Sequence, residues 1–490
     1  MRGLVAAGNP DTAAAAVECF DAGGNAIDAA VAAALACFVA EPLLASAGGG
    51  GLMVARGGDG RVHELDFFPR TPGLGGVAPA DARHFLGIDV DFGAAIQTFH
   101  VGRAAATVPT VLPALAQAVE RLGRLPLARV AAPAIRLARS GVAVGPSGAE
   151  VFALLWEILG QDDATLDCLA GGRSLPTASS RISNPDFADL LEEWSGRGQV
   201  PARFDEALLA AFSPQRGGSI TAADLRVAAP RWDLAPTADL GDATLFAGRH
   251  AGASALRRMS ARLIHAVEAG SDDEVAWALA LARAGVEADA ERRREDAGPP
   301  GPGSTTHIST LDAEGLAASI TMSNGEGCGF VVPGTGVSMN NFMGEEDLHP
   351  RGFFQREPGQ PLPTMMAPCL LRDASARWSA LGSGGANRIR SAVTRVLLAS
   401  LAGLPLRDAV AAPRVHGEGR QVWFERAGWG NPDAVETALR SEFDDCFAFD
   451  DAAFFFGGVH AVRAPVGSDA DAAPAEAVGD ARRCGVGMQI

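Results

Sequence analysis

The stretch GPPGPGSTTHISTLDAEG, residues 298–315, sets the problem. A Pro/Gly run ends at Ser304, Thr305 and Thr306 follow, then His307, and beyond them apolar and polar residues alternate as in a strand. A threonine hydroxyl is a weak nucleophile unless a base stands beside it. A cut before Thr305 would supply one. The new α-amine would have a pKa of about 7.7–8.0 and would sit next to its own hydroxyl. The plainer reading is that Thr305 and Thr306 only open a strand. By itself the stretch leaves both readings open.

Composition narrows the classes. The chain has 490 residues, so it forms either two domains or one large layered domain. Hydrophobic residues make up 48% and mean hydropathy is +0.11, enough to build a core. The net charge of −17 and pI near 5.0 argue against nucleic acid or an anionic membrane as partner. There is no lysine, which excludes a Lys Schiff base or Lys general base. The cysteines number 7, with no CxxC, a reduced pattern. MRGLVAAGNP lacks the apolar core of a signal peptide, so a cytoplasmic location is expected. AIDAAVAAALACFVAEPLLA carries Asp28 and Glu41 and reads as a buried helix, not a membrane span.

Along the chain, PDTAAAAVECFDAGGN reads as a helix capped by Asp11 or Thr12 and stopped at Gly23-Gly24. A second helix starts near Ala26. A strand hairpin turning at Gly57–Gly60 follows the glycines of SAGGGG, Ser46–Gly51. Residues 108–143 read as two short helices, Thr221 as a helix cap, and helices are expected to dominate up to about residue 290. The charge run and Pro/Gly of 291–304 read as a solvated linker. Beyond it strands prevail, with one long helix in NRIRSAVTRVLLASLAG, and 465–480 reads as a surface loop.

Three constellations besides Thr305 have chemical potential. In ALGSGGANRIRS a strand delivers Gly382, Ser383, Gly384 and Gly385 to a helix start, where free backbone N–H groups can hold an anion or an oxyanion. It is not a dinucleotide fingerprint, because Asn387 stands in the third glycine's place. SAGGGG has no following GK[ST] and reads as close backbone packing. Glu345, Glu346, Asp347 and His349 could ligate a cation, but read first as a solvated loop. No cofactor or metal is called for.

GGNAIDAAVAAAL, EPLLASAGGGGLM, TTHIS, VPGTGVSMNN, GSGGANRI and AVAAPRVH, in this order and spacing, resemble the γ-glutamyltransferase family of N-terminal-nucleophile hydrolases. The resemblance runs from Gly3 to DARRCGVG at Asp480. It implies an αββα sandwich, of class α+β, made as one precursor. Self-cleavage between Ser304 and Thr305 would give a large subunit, 1–304, and a small one, 305–490, that stay associated as one intertwined unit. Thr305 would be nucleophile and α-amino base, Gly384 and Gly385 the oxyanion hole. Ser323 would stand where the family has a threonine that orients the nucleophile. Asn340 and Asn341 match the family's Asn pair.

The departures fall on substrate recognition. Where the family's DFRE motif has the Arg that grips an α-carboxylate, this chain has Phe68, with Arg70 two residues on. Glu345 or Glu346 stands where an Asp holds the α-amine, and Thr364 and Met365 replace paired serines. The resemblance therefore implies an amidase acting through a threonyl acyl-enzyme on a small-molecule γ-glutamyl or related amide, with water or an amine as acceptor. The alternatives are an acylase or amidohydrolase of a non-glutamyl amide and, from another class, a non-catalytic ligand-binding member. Retention of Thr305, Ser323 and the glycine pair argues against the latter.

Overall fold

The strand that follows Thr305, Thr306–Asp312, is buried at every position. The structure, a computed structural model, describes residues 2–91, 96–268, 273–294, 304–466 and 474–490. In it Thr306–Asp312 lies third in a sheet of seven strands, ordered Val486–Gln489, Gly3–Ala7, Thr306–Asp312, Ala317–Ser323, Gly50–Arg56, Val62–Asp66, Arg231–Leu234. Every neighbouring pair is antiparallel. A second sheet of six strands runs Glu476–Val478, Gly458–Ala464, Trp378–Gly384, Cys369–Arg372, Ala243–Ala247, Thr237–Leu240.

Side-chain alternation builds the layers. Val5, Ala7, Met53, Ile308 and Ile320 turn outward onto the helices Pro10–Asp21, Ala26–Ala40, Val111–Leu122 and Leu127–Ser140. Leu4, Ala6, Val54, Leu311 and Ala317 turn inward, onto Leu370, Ala380, Val462 and Ala464 of the second sheet. That sheet's far face, with Leu245, Leu371 and Leu381, packs on Met259, Val393 and Leu397 of helices Ala251–Glu268 and Ile389–Leu401. The order is helix, sheet, sheet, helix: the expected αββα sandwich. Ala26–Ala40 is buried nearly all round, as a helix lodged between other helices and a sheet must be. A capping box of Asn25 and Asp28 starts it, and Asp28 also accepts the backbone N–H groups of Arg124 and Leu125.

The glycines of Ser46–Gly51 are there for close approach. A Cβ on Gly48 would lie 2.2 Å from the Ser338 carbonyl oxygen, and one on Gly49 would lie 2.1 Å from that of Ser323. No larger residue fits without moving backbone.

Several local expectations change. Asn9, not Asp11 or Thr12, caps the first helix, and the Thr12 hydroxyl instead reaches Glu41. The region expected to stay helical contains the strands Arg231–Leu234, Thr237–Leu240 and Ala243–Ala247, which complete the edges of both sheets. Such short strands are defined by partners distant in sequence, Ala247 by Cys369 for example. The charge run is not all solvated. The helix Glu274–Arg294 carries it, and Arg292 is 1% exposed between Asp289 and Glu418. Residues 295–303 of the linker lie outside the described residues. Within 465–480, Glu476–Val478 is a strand, not a loop. Among the described residues no helix is long and apolar enough to cross a membrane.

The close approach at Gly48 is open to test. Gly48→Ala is expected to destabilise by about 1–3 kcal/mol through overpacking against backbone. Gly58→Ala, whose added carbon would meet nothing within 4 Å, is expected to leave the melting temperature unchanged. Thermal unfolding of the two variants beside wild type checks both.

Candidate active site

Strand register places Thr305. Thr306 pairs with Met322 and Ala7 with Ile308. Extending the first ladder by one step sets Thr305 opposite Ser323, at the distance where cross-strand side chains meet. Alternation then sorts the neighbours. Thr306 points to the helical layer, where its hydroxyl donates to Glu41 Oε1 at 3.0 Å, while Thr12 donates to Oε2 at 3.0 Å. His307 and Ser309 point between the sheets. His307 bonds Thr321 and Ser309, and the Ser309 hydroxyl donates to the His460 carbonyl. Thr305 therefore sits on the sheet-facing side of the strand, at its open end, and is 5% exposed.

Around Ser304 and Thr305 four groups converge. The Ser323 hydroxyl donates to the Ser304 carbonyl at 2.5 Å and accepts the Gly325 N–H at 2.9 Å. Glu326 Oε1 accepts the Ser304 N–H at 3.2 Å. The Arg483 guanidinium donates to the Thr305 carbonyl at 3.3 Å and stacks on Phe454. Gly384 presses so closely that a Cβ there would lie 2.1 Å from the Thr305 carbonyl oxygen. Gly385 has φ 113°, a left-handed value that favours glycine. It leads into the 3₁₀ turn Ala386–Arg388 and the helix Ile389–Leu401. Ser323 thus holds the carbonyl before Thr305.

Two hollows open on Thr305. The smaller, about 30 Å3, is walled by Phe68, Phe342, Leu348, Met365, Met366 and Ile389, with Ser323, Thr364, Glu345 and Asp347 between them. Phe68 and Phe342 pack with ring centroids 4.7 Å apart. The larger, about 410 Å3, lies on the other side, lined by Phe152, Ile182, Phe454, Glu41, His460 and Arg483 among others.

The carboxylates here are unusual. Burial, relieved by the Ser304 N–H bond and reinforced by Asp347, pushes Glu326 up to about 8. Glu345 is raised well above the ordinary range by burial and then by Asp347 and Glu326, and Asp347 rises to about 6, chiefly through burial. Glu41 rises to about 6 through burial, against the pull of its two threonine donors. Burial holds His460 and His349 down at about 4. The acidic run is therefore no solvated loop: Asp347 and His349 are buried and only Glu346 is exposed. Among the described residues no group of His, Cys, Asp and Glu is set to hold a metal ion.

The structure gathers Ser304, Thr305, Ser323, Glu345, Thr364, Met365 and Gly384 at one place, with Gly385 next to Gly384. Three expected binding residues are elsewhere. Arg70 lies in a separate hollow with Asp224 and Arg231, and its guanidinium donates to the Gly359 carbonyl at 2.9 Å. Phe68 lines both that hollow and the one at Thr305, whereas Arg70 lines only the former. Asn340 is 0% exposed and spent on Thr107 and the Gly48 carbonyl. Asn341 accepts the Glu326 N–H and so supports the site from behind. Glu41, Glu326, His460 and Arg483 were not singled out from the sequence. NGEG offered the one local clue, a glycine-flanked acid on the turn after Ser323.

A family model for gamma-glutamyltranspeptidase matches residues 12–265 and 273–490. The chain belongs to the gamma-glutamyltranspeptidase family. Its curated relatives include the acylase ACY 1 proenzyme of Pseudomonas sp. (strain V22), 31% identical and covering 89% of this chain and 86% of the relative. The glutathione hydrolase proenzyme of Pseudomonas aeruginosa is 29% identical, covering 84% and 82%. Among solved structures, the cephalosporin acylase from Bacillus halodurans superposes with a TM-score of 0.80 at 23% identity, over 99% of this chain and 95% of that one. The fold is that of the N-terminal-nucleophile hydrolases, and the chain is an enzyme of this family. No observation favours a non-catalytic member.

The raised Glu326 gives a test with a defined sign. Its folded pKa of about 8 lies above the ordinary 4.5, so the fold favours the neutral acid. That contribution is complete below the unfolded value and is lost as pH rises through the folded one. In a Thr305→Ala background, Glu326→Gln should therefore lose less melting temperature between about pH 5 and about pH 9 than the parent. Scanning fluorimetry across that range would show parallel curves if the account were wrong.

Proposed function

We propose that the protein is a self-processing threonine amidase of the acylase kind, with Thr305 as nucleophile. The observation that carries this is the wall of the small hollow. Phe68 occupies it, and among the described residues no arginine lines it. A γ-glutamyl group brings an α-carboxylate that needs a cation, and burying that charge unpaired is costly. An apolar acyl group suits the surfaces of Phe68, Phe342, Met365, Met366 and Ile389, which must part to admit it, since the hollow between them is about 30 Å3.

The chemistry runs in two stages. In the precursor, the Thr305 hydroxyl attacks the Ser304 carbonyl carbon, the C–N bond breaks, and water hydrolyses the resulting ester. Ser323 donates to the oxygen on which negative charge develops. The products are the fragments 1–304 and 305–490, held together by sheets that draw strands from both. In turnover, the freed α-amine takes the hydroxyl proton as Thr305 attacks the substrate amide, and returns it to the leaving amine. Backbone N–H groups at Gly384 and Gly385 stabilise the tetrahedral oxyanion. Water, or an amine in a transfer reaction, then releases the acyl group. The larger hollow gives the amine half of the substrate room.

A γ-glutamyl substrate is the second reading. Glu345 and Asp347 in the hollow could receive its α-ammonium, but its α-carboxylate would face Phe68.

The first reading expects phenylacetyl p-nitroanilide to be cleaved with kcat/KM about tenfold or more above γ-glutamyl p-nitroanilide. Phe68→Arg should narrow or reverse that ratio. A wild-type preference for the γ-glutamyl substrate would reject it. Ser323→Ala is expected to slow self-cleavage by about 10²–10³-fold, the usual loss on removing one oxyanion donor, followed as band conversion on denaturing gels.

A further inference from the structure

In the uncleaved chain Ser304 is itself the acyl group offered to Thr305. Processing and turnover share one nucleophile, so the groups that hold Ser304 mark where a substrate's acyl half lies. Two groups do so. Ser323 holds the carbonyl oxygen, and Glu326 Oε1 accepts the N–H on the adjoining carbon at 3.2 Å.

Glu326 is built in, not incidental. It is 4% exposed, and its second oxygen, Oε2, has no hydrogen-bond partner. Its own N–H is fixed by Asn341 Oδ1 at 3.0 Å. The preceding Gly325, at φ 59°, brings the turn so close that a Cβ would lie 2.0 Å from Asn341 Oδ1 and 2.2 Å from Glu345 Oε1. Glu345 Oε1 is also buried without a partner, and Glu345 lines the small hollow. Once Ser304 leaves, Glu326 Oε1 loses that N–H, and Oε2 is already without a partner. Buried acceptors without donors are unfavourable, so an acyl group that returns an N–H to this point gains what one lacking it cannot.

We propose that Glu326 determines acyl specificity, and that the enzyme prefers L-α-aminoacyl amides with an apolar side chain, the α-nitrogen taking the place of the Ser304 N–H. The inference rests on the acylase reading of Thr305 and names its substrate class. The side chain meets Phe68, Phe342 and Met365, while the nitrogen meets Glu326 with Glu345 nearby. Because burial keeps these acids above their ordinary range, an arriving ammonium displaces a proton rather than joining a fixed charge. The L configuration follows from Ser304, an L-residue held at both its N–H and its carbonyl.

The test compares L-phenylalanine p-nitroanilide with 3-phenylpropanoyl p-nitroanilide on the processed enzyme. They differ only in the α-amine. The amine is expected to raise kcat/KM by about tenfold or more, the worth of a hydrogen bond to a charged group. Glu326→Gln is expected to shrink the ratio between the two substrates by about tenfold. Equal rates on wild type overturn the proposal, whether or not the variant folds and processes. If 3-phenylpropanoyl anilide outpaces γ-glutamyl anilide with no gain from the amine, the acylase reading stands and this one falls. If neither phenyl substrate is cleaved while γ-glutamyl anilide is, both fall.

Discussion

The antiparallel ladder between Thr306–Asp312 and Ala317–Ser323 is the constraint on which the rest depends. It is buried on both faces, so its register cannot slip without turning Ile308 and Ile320 away from the helical layer. That same register sets Thr305 opposite Ser323. Ser304 thereby meets the serine hydroxyl and the Glu326 carboxylate, and the Thr305 carbonyl meets the backbone of Gly384. The glycines at 48 and 49 serve the same end, since only their absent side chains let Ser338 and Ser323 come close.

Built on that frame, the site combines two environments. One wall of the small hollow is aromatic and thioether surface. The other holds Glu345 and Asp347, with Glu326 on the neighbouring turn; burial raises all three, and nearby carboxylates add to it at Glu326 and Glu345. Buried arginines anchor the surroundings. Arg292 joins Asp289 to Glu418, tying the helix that precedes the linker to the strand Val415–Glu418. Such pairs add little net stability once desolvation is counted, but removing one partner strands a buried charge. They hold the end of the helix Glu274–Arg294 and the strand Val415–Glu418 in fixed relation.

Much of this was legible in the sequence, for reasons that differ by residue. Thr305 stood out because a Pro/Gly run in the sequence meets a strand at a hydroxyl residue. The glycines at 48–51 read correctly as close packing because no phosphate-binding lysine follows. Phe68 was identified from its place in a motif, and a motif fixes position along a strand. It does not say which way the next residues turn, so Arg70, two positions on, was misplaced. Asn340 was misread for a related cause: a buried amide serves a structural bond as readily as a ligand, and only its partners decide. The strands of 231–247 were missed because their pairing partners lie far along the chain. Glu326, Glu41 and Arg483 left almost no local trace, since what makes them notable is burial beside one peptide bond.

The central claim is that Thr305 becomes a nucleophile by freeing its own amine. Intact-mass measurement under denaturing conditions of the freshly purified chain, beside Thr305→Ala, tests it most directly. The account predicts two masses, for 1–304 and for a fragment whose first residue is Thr305, with only the full-length mass in the variant. A single full-length mass in both samples, or cleavage at another bond, would contradict it.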